Sequence, residues 1–167
     1  MAGDGIGAEF LGTVRKRFAD AHRRLAAAIA ALSAEEMGCR PNRGSNSIGN
    51  LVLHLCGHLQ GGYLGGAGRR NRTAEFLAEG PFDPAALRAY VDETFLALDP
   101  LTPRVLSGVA RRDGPEGSLV RSLVYSLGHT TEHVGQVIVL AKAQRPEAVG
   151  HLWGTPVALR DPQDPSR

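Results

Sequence analysis

The sequence predicts an all-helical domain built on four principal helices. Apolar residues recur by threes and fours over long stretches, those stretches are bracketed by residues that start or stop helices, and two of them carry histidines in pairs four apart.

From Phe10 to Leu32 the apolar positions Leu11, Val14, Phe18, Ala21, Leu25, Ala28 and Leu32 share a face, while Arg15, Lys16, Asp20, Arg23 and Arg24 fall between them. That is an amphipathic helix. Ser33 stands three before Glu36, a capping-box spacing that starts a short helical turn before Pro41 forbids continuation. Cys39 to Ser47 reads as a loop, with Asn46 or Ser47 capping the second principal helix, which runs to Leu59 or Tyr63 on a stripe of Leu51, Leu55 and Leu59. Glycines at 57, 61, 62, 65, 66 and 68 erode its end and predict a flexible connection, whose Arg69, Arg70 and Arg72 read as a solvated basic loop.

Asp83 followed by Pro84 starts a third helix, which Leu87, Tyr90, Val91, Phe95 and Leu98 continue until Pro100. Thr102 to Asp113 reads as irregular. Pro115 or Ser118 opens the fourth helix, which extends to about Ala143 because Gly128 and Gly135 only weaken it. One domain therefore spans 1–143, and Pro146, Pro156, Pro162 and Pro165 mark 144–167 as an irregular tail, pinned by Trp153.

A chain of 167 residues is large enough to bury a core as one domain. With 22% charged and 43% apolar residues its composition is that of an ordinary globular protein. A net charge of +2, with no basic stripe interleaved with aromatics, gives no support for nucleic-acid binding. Cys39 and Cys56 are too few and too separate for a disulfide scaffold, the longest apolar run (Leu25 to Leu32) is too short to span a bilayer, and the N-terminal residues lack a leader pattern. The expectation is a cytoplasmic protein without a membrane segment. No glycine-rich phosphate loop or nucleophile elbow occurs, so nucleotide binding and serine hydrolysis have no support.

The chemistry lies in the histidines. Gly128 to Gln136, G-H-T-T-E-H-V-G-Q, sets His129 and His133 on one helical face, and residues 48–59 do the same with His54 and His58. Two imidazoles on one rigid face are half of a tetrahedral metal site, and the second pair offers the remaining ligand. The competing reading is a set of neutral core histidines bonded to backbone or hydroxyls. Gln136 and Tyr125 lie on the histidine side of the fourth helix and Asn50 one turn before His54, where each would orient a ligand, bind substrate or fill a buried hydrogen-bonding role. Glu132 points away from the histidine face and reads as an ion-pairing residue. The fourth helix has a second apolar stripe (Val120, Leu123, Leu127, Val134, Ile138, Ala141), which must meet a neighbouring helix or a second copy; a homodimer is the expectation.

The runs R-P-N-R-G-S-N-S-I-G-N-L-V-L-H-L-C-G-H-L, R-x-R-x-A-E-F at Arg70 to Phe76, and G-H-T-T-E-H-V-G-Q-V-I-V-L-A-K together resemble the DinB-like, or YfiT-like, superfamily of bacterial helical proteins, over Phe10 to Lys142. The resemblance implies a four-helix bundle with up-down-down-up connectivity, often dimeric, holding a divalent metal on one histidine of the second helix and two of the fourth. By position these are His54, His129 and His133. The chain departs from the pattern at His58, where Asn is expected; His58 is then a fourth ligand, an orienting group or a core residue.

Three neutral histidines leave a divalent metal, zinc or nickel first, with an open position at which a thiol or water becomes a nucleophile near neutral pH. The resemblance implies a small-molecule S-transferase that uses a low-molecular-weight thiol; metal-assisted hydrolysis is the second enzymatic reading. The alternative is a non-catalytic helical dimer, with a structural metal or none, in a binding or stress-related role. The sequence assigns no catalytic residue.

Overall fold

A computed structural model describes residues 3–63, 72–98, 119–149 and 152. All the regular secondary structure among them is helical: α1 (Gly3–Ala30), α2 (Ala34–Gly38), α3 (Ile48–Tyr63), α4 (Arg72–Leu77), α5 (Pro84–Ala97), α6 (Leu119–Gln144) and α7 (Pro146–Val149).

The local signals act as their chemistry requires. α1 begins at Gly3 rather than Phe10 and buries Val14, Phe18, Ala21, Leu25 and Ala28 along its expected stripe. Ser33 caps α2 in a reciprocal box: Ser33 Oγ accepts from the Glu36 amide at 3.3 Å and the Ser33 amide donates to Glu36 Oε2 at 2.8 Å. Glu36 Oε1 also accepts from Arg145 Nε at 2.6 Å, and Arg145 together with the Ser33 amide holds the carboxyl below its ordinary range. Ser47 caps α3, its Oγ accepting from the Asn50 amide at 3.2 Å while its own amide donates to Asn50 Oδ1 at 3.2 Å. Asp83 caps α5 by accepting from the Ala85 amide at 2.9 Å, with Pro84 in the first turn.

Two stretches differ from the sequence reading. α4 begins at Arg72, the last residue of the expected flexible connection, and runs through residues for which the sequence reading gives no element. Past α6, the expected irregular tail begins with α7, whose Val149 is buried, as is Leu152. Pro146 stops α6 but tolerates the first position of the next helix, where its missing N–H costs nothing. The expected starts of the fourth helix at Pro115 and Ser118, the irregular stretch 102–113, Arg69, Arg70, the Arg72 side chain and Trp153 lie outside the described residues.

The long helices pair in a closed cycle: α1 packs on α5 and α6, and α3 packs on the same two. Their shared core includes Leu25, Ile29, Leu55, Leu59, Val91 and Ile138. On α6, Leu123, Val134, Ile138 and Ala141 of the second apolar stripe are buried within the chain, whereas Val120 is 53% exposed. Neighbouring helices thus cover most of the stripe that pointed to a second copy. His22 of α1 reaches Asp92 of α5, Nε2 to Oδ1 at 2.6 Å, and stacks on Phe95 with ring centroids 5.3 Å apart. No described helix is long and apolar enough to cross a membrane.

The turns after α2 and α4 cross in backbone contact. A Cβ on Gly80 would lie 2.6 Å from Gly38 Cα, and one on Gly38 would lie 2.8 Å from Gly80 Cα, so neither position has room for a side chain. The same crossing seats the Phe82 ring against α3, where a Cβ on Gly49 would come within 2.4 Å of it.

Candidate metal centre

The site is built outward from the start of α3. Asn50, wholly buried, keeps its Oδ1 on Ser47 and donates through Nδ2 to the carbonyls of Glu75 and Ala78, each at 2.8 Å. Arg40 Nη2 adds a third tether, to the Phe76 carbonyl at 2.6 Å. These bonds satisfy orphan carbonyls at the end of α4 and fix that short helix across α3.

One turn beyond Asn50, His54 is 3% exposed. Its ring lies against Phe76, centroids 4.5 Å apart, and its Nδ1 is 3.5 Å from Glu75 Oε2. Across from it stand His129 and His133 of α6, with ring centroids 5.3 and 4.8 Å from that of His54 and 4.4 Å from each other. One ligand atom from each of the three lies within 4.8 Å of the others, the only such histidine, cysteine and carboxylate grouping among the described residues. His133 Nδ1 is 2.9 Å from Gln136 Oε1, a contact that suits the tautomer with the proton on Nδ1 and the lone pair on Nε2.

The donor set fits a divalent metal. Neutral imidazoles are borderline-soft ligands suited to zinc, nickel, copper or iron. With bonds of about 2.0–2.1 Å a tetrahedral ion sets its nitrogen ligands about 3.4 Å apart, so ligand atoms within 4.8 Å of one another close by small side-chain rotations.

The remaining candidates separate into two positions. His58 is 7% exposed and lies beside His129, the rings tilted at 48° with centroids 4.2 Å apart, outside the group of three. Tyr125 is 56% exposed, and its ring is nearly parallel to that of His129 at 6.1 Å, so it flanks the site from the solvent side. Asn50 takes the buried hydrogen-bonding role of the two read for it, and through it secures α4. Glu132 is exposed, away from the histidines. Cys56, on the same helix as His54, is fully buried, and burial pushes its thiol up to about 12, which leaves it protonated and unreactive at neutral pH.

Glu75 and Phe76 carry no site signal of their own in the sequence, although both stand in the A-E-F run that enters the family resemblance. Nothing in the local pattern links them to His54, because the link is made by the tethers from Asn50 and Arg40. Beyond Gln136, a cavity of about 580 Å³ is lined by that residue, Leu51, Val139, Leu140 and the loop residues Ser45 and Asn46. Gln136 therefore touches both the cavity and the histidine group.

The model of a family described as a protein of unknown function (DUF1572) matches residues 5–152. No curated protein and no solved structure matches the chain.

Proposed function

We propose that this chain, which belongs to the DUF1572 family, is a DinB-like four-helix bundle with up-down-down-up connectivity that holds one divalent metal on His54, His129 and His133 and serves as a metal-dependent, thiol-using transferase. The observation that carries the reading is the convergence of three imidazoles from two facing helices, in a chain whose long helices pair in a closed cycle. Zinc and nickel are the metals we favour for this donor set.

When bound, such a metal supplies a Lewis-acidic open position at which a thiol or a water loses its proton near neutral pH. The protein's own residues do the remaining work. Gln136 holds the tautomer of His133, Phe76 shields the His54 ring from water, and Tyr125 stands at the exposed side of His129, where it can contact a substrate. The cavity beside Gln136 has a volume in the range of small-molecule sites. Cys56, buried and protonated, is not the nucleophile; the low-molecular-weight thiol is what the DinB-like resemblance implies.

Metal content of protein purified without an affinity metal column tests the reading. About one metal per chain is expected in the wild type, lost in His54→Ala, His129→Ala and His133→Ala and kept in His58→Ala. Absence of metal in the wild type, after zinc, nickel and manganese have each been supplied, would sink it. Loss of the metal from His58→Ala would instead point to a closed four-histidine site with a structural role. Turnover of thiol conjugates without amide or ester hydrolysis distinguishes transfer from hydrolysis.

A further inference from the structure

We infer that Glu75 is a positioning residue of the metal centre, holding the His54 ring in the tautomer and orientation that offer Nε2 to the ion; the inference rests on the reading of His54 as a ligand. Glu75 Oε2 lies 3.5 Å from His54 Nδ1, with the two side chains 14% and 4% exposed. Beside Nδ1 the carboxylate favours the tautomer with the proton at that nitrogen, which leaves the lone pair on Nε2.

The surrounding contacts hold the backbone that carries Glu75. α4 is a single short helix, yet Asn50 and Arg40 bond three carbonyls at its end, those of Glu75, Phe76 and Ala78. Phe76, the next residue, presses its ring on the His54 ring, so polar and apolar contacts from adjacent residues restrain the imidazole. His133 has a corresponding partner in Gln136. Two of the three imidazoles thus have a side-chain oxygen facing Nδ1, a neutral amide at 2.9 Å from His133 and a carboxylate at 3.5 Å from His54. The anion is the group that also offsets part of the charge of a dication bound by neutral ligands.

The test is zinc and cobalt affinity, measured on the full chain by competition with a chromophoric chelator, for wild type, Glu75→Ala, Glu75→Gln and the exposed control Glu79→Gln. Glu75→Ala is expected to weaken binding about 10- to 100-fold. Glu75→Gln, which keeps an amide oxygen beside Nδ1 without the charge, is expected to recover part of that loss, and Glu79→Gln to match wild type. Long-range proton–nitrogen NMR of the metal-free protein supplies a readout that general loosening of α4 would not move: His54 is expected in the Nδ1–H form in wild type and Glu75→Gln and to leave that form in Glu75→Ala. If Glu75→Ala does not fold, Glu75→Gln decides alone, with a several-fold loss expected. Wild-type zinc binding with both Glu75 variants within about threefold of it would overturn the positioning role and leave the three-histidine site standing. Failure of the wild type to bind either metal would overturn both.

Discussion

At His22 and Asp92 one hydrogen bond joins two helices and ties their packing to pH. The Asp92 carboxyl is held below its ordinary range by His22 first and Arg88 second. A carboxyl depressed in the folded state stabilises the fold above its unfolded value, near about pH 4, and that stabilisation is lost as pH falls through the folded value. Because Asp92 is 34% exposed, the contribution is screened to about 0.5–1 kcal/mol. Asp92→Asn should therefore be less stable than wild type at pH 6, and the difference should shrink as the pH is lowered below about 4, as read from urea midpoints. The same scale divides what is legible in the site. His129 and His133 are neighbours by helical geometry alone, as are His54 and His58, so both pairs stand out in the sequence. Which histidine of α3 joins the pair on α6 is a tertiary fact, and so is the arrival of Glu75 at His54. Asn50 illustrates the limit: its spacing puts it on the face of His54, but two backbone carbonyls, one within α4 and one just past its end, claim its amide.

At the scale of elements, the caps at Ser33, Ser47 and Asp83 are readable because a cap is a local exchange between one side chain and an amide two or three residues on. α4 is not, since six residues are too few to display a period and the glycines before it signal a loop. α7 is hidden for a different reason: its proline ends one helix and occupies the first turn of the next, and only the first of those roles shows in the pattern. The crossing of the turns after α2 and α4 makes a sharp contrast among glycines. Gly80→Ala must push backbone against backbone at Gly38 and is expected to cost about 1–3 kcal/mol. Gly128, exposed within α6 with nothing within 4 Å of where a Cβ would stand, should gain about 0.5–1 kcal/mol on substitution by alanine. Thermal melts of the two metal-free variants, moving in opposite directions, would check the pair.

At the scale of the molecule, the cycle of packing pairs is the property that composition and periodicity leave undetermined. Periodicity tells each helix which face to bury and nothing about the neighbour that will cover it; the expected connectivity comes from resemblance. In the structure α1 is covered by α5 and α6, the third and fourth of the long helices, while its successor α3 packs on the same two. Contacts that distant close long loops, an entropic cost that must be met before the contacts stabilise the chain. Ile29→Val, deep in the α1 face at 1% exposure, should lose about 0.5–1.5 kcal/mol, and the loss should appear in the unfolding arm of a chevron more than in the refolding arm.

The same cycle gives the chain a particular history during synthesis. α1 leaves the ribosome first, but the helices that cover Val14, Phe18, Leu25 and Ile29 follow only after α3 and α4 have emerged. At translation rates of about 5–20 residues per second, α1 waits on the order of ten seconds for α6 to be complete. For that interval its apolar face is open to chaperones and to other nascent chains, and the charged residues beside it become its protection. Arg15, Lys16, Arg17, Asp20, Arg23 and Arg24, spread between the apolar positions, keep the unfinished helix in solution until its partners arrive.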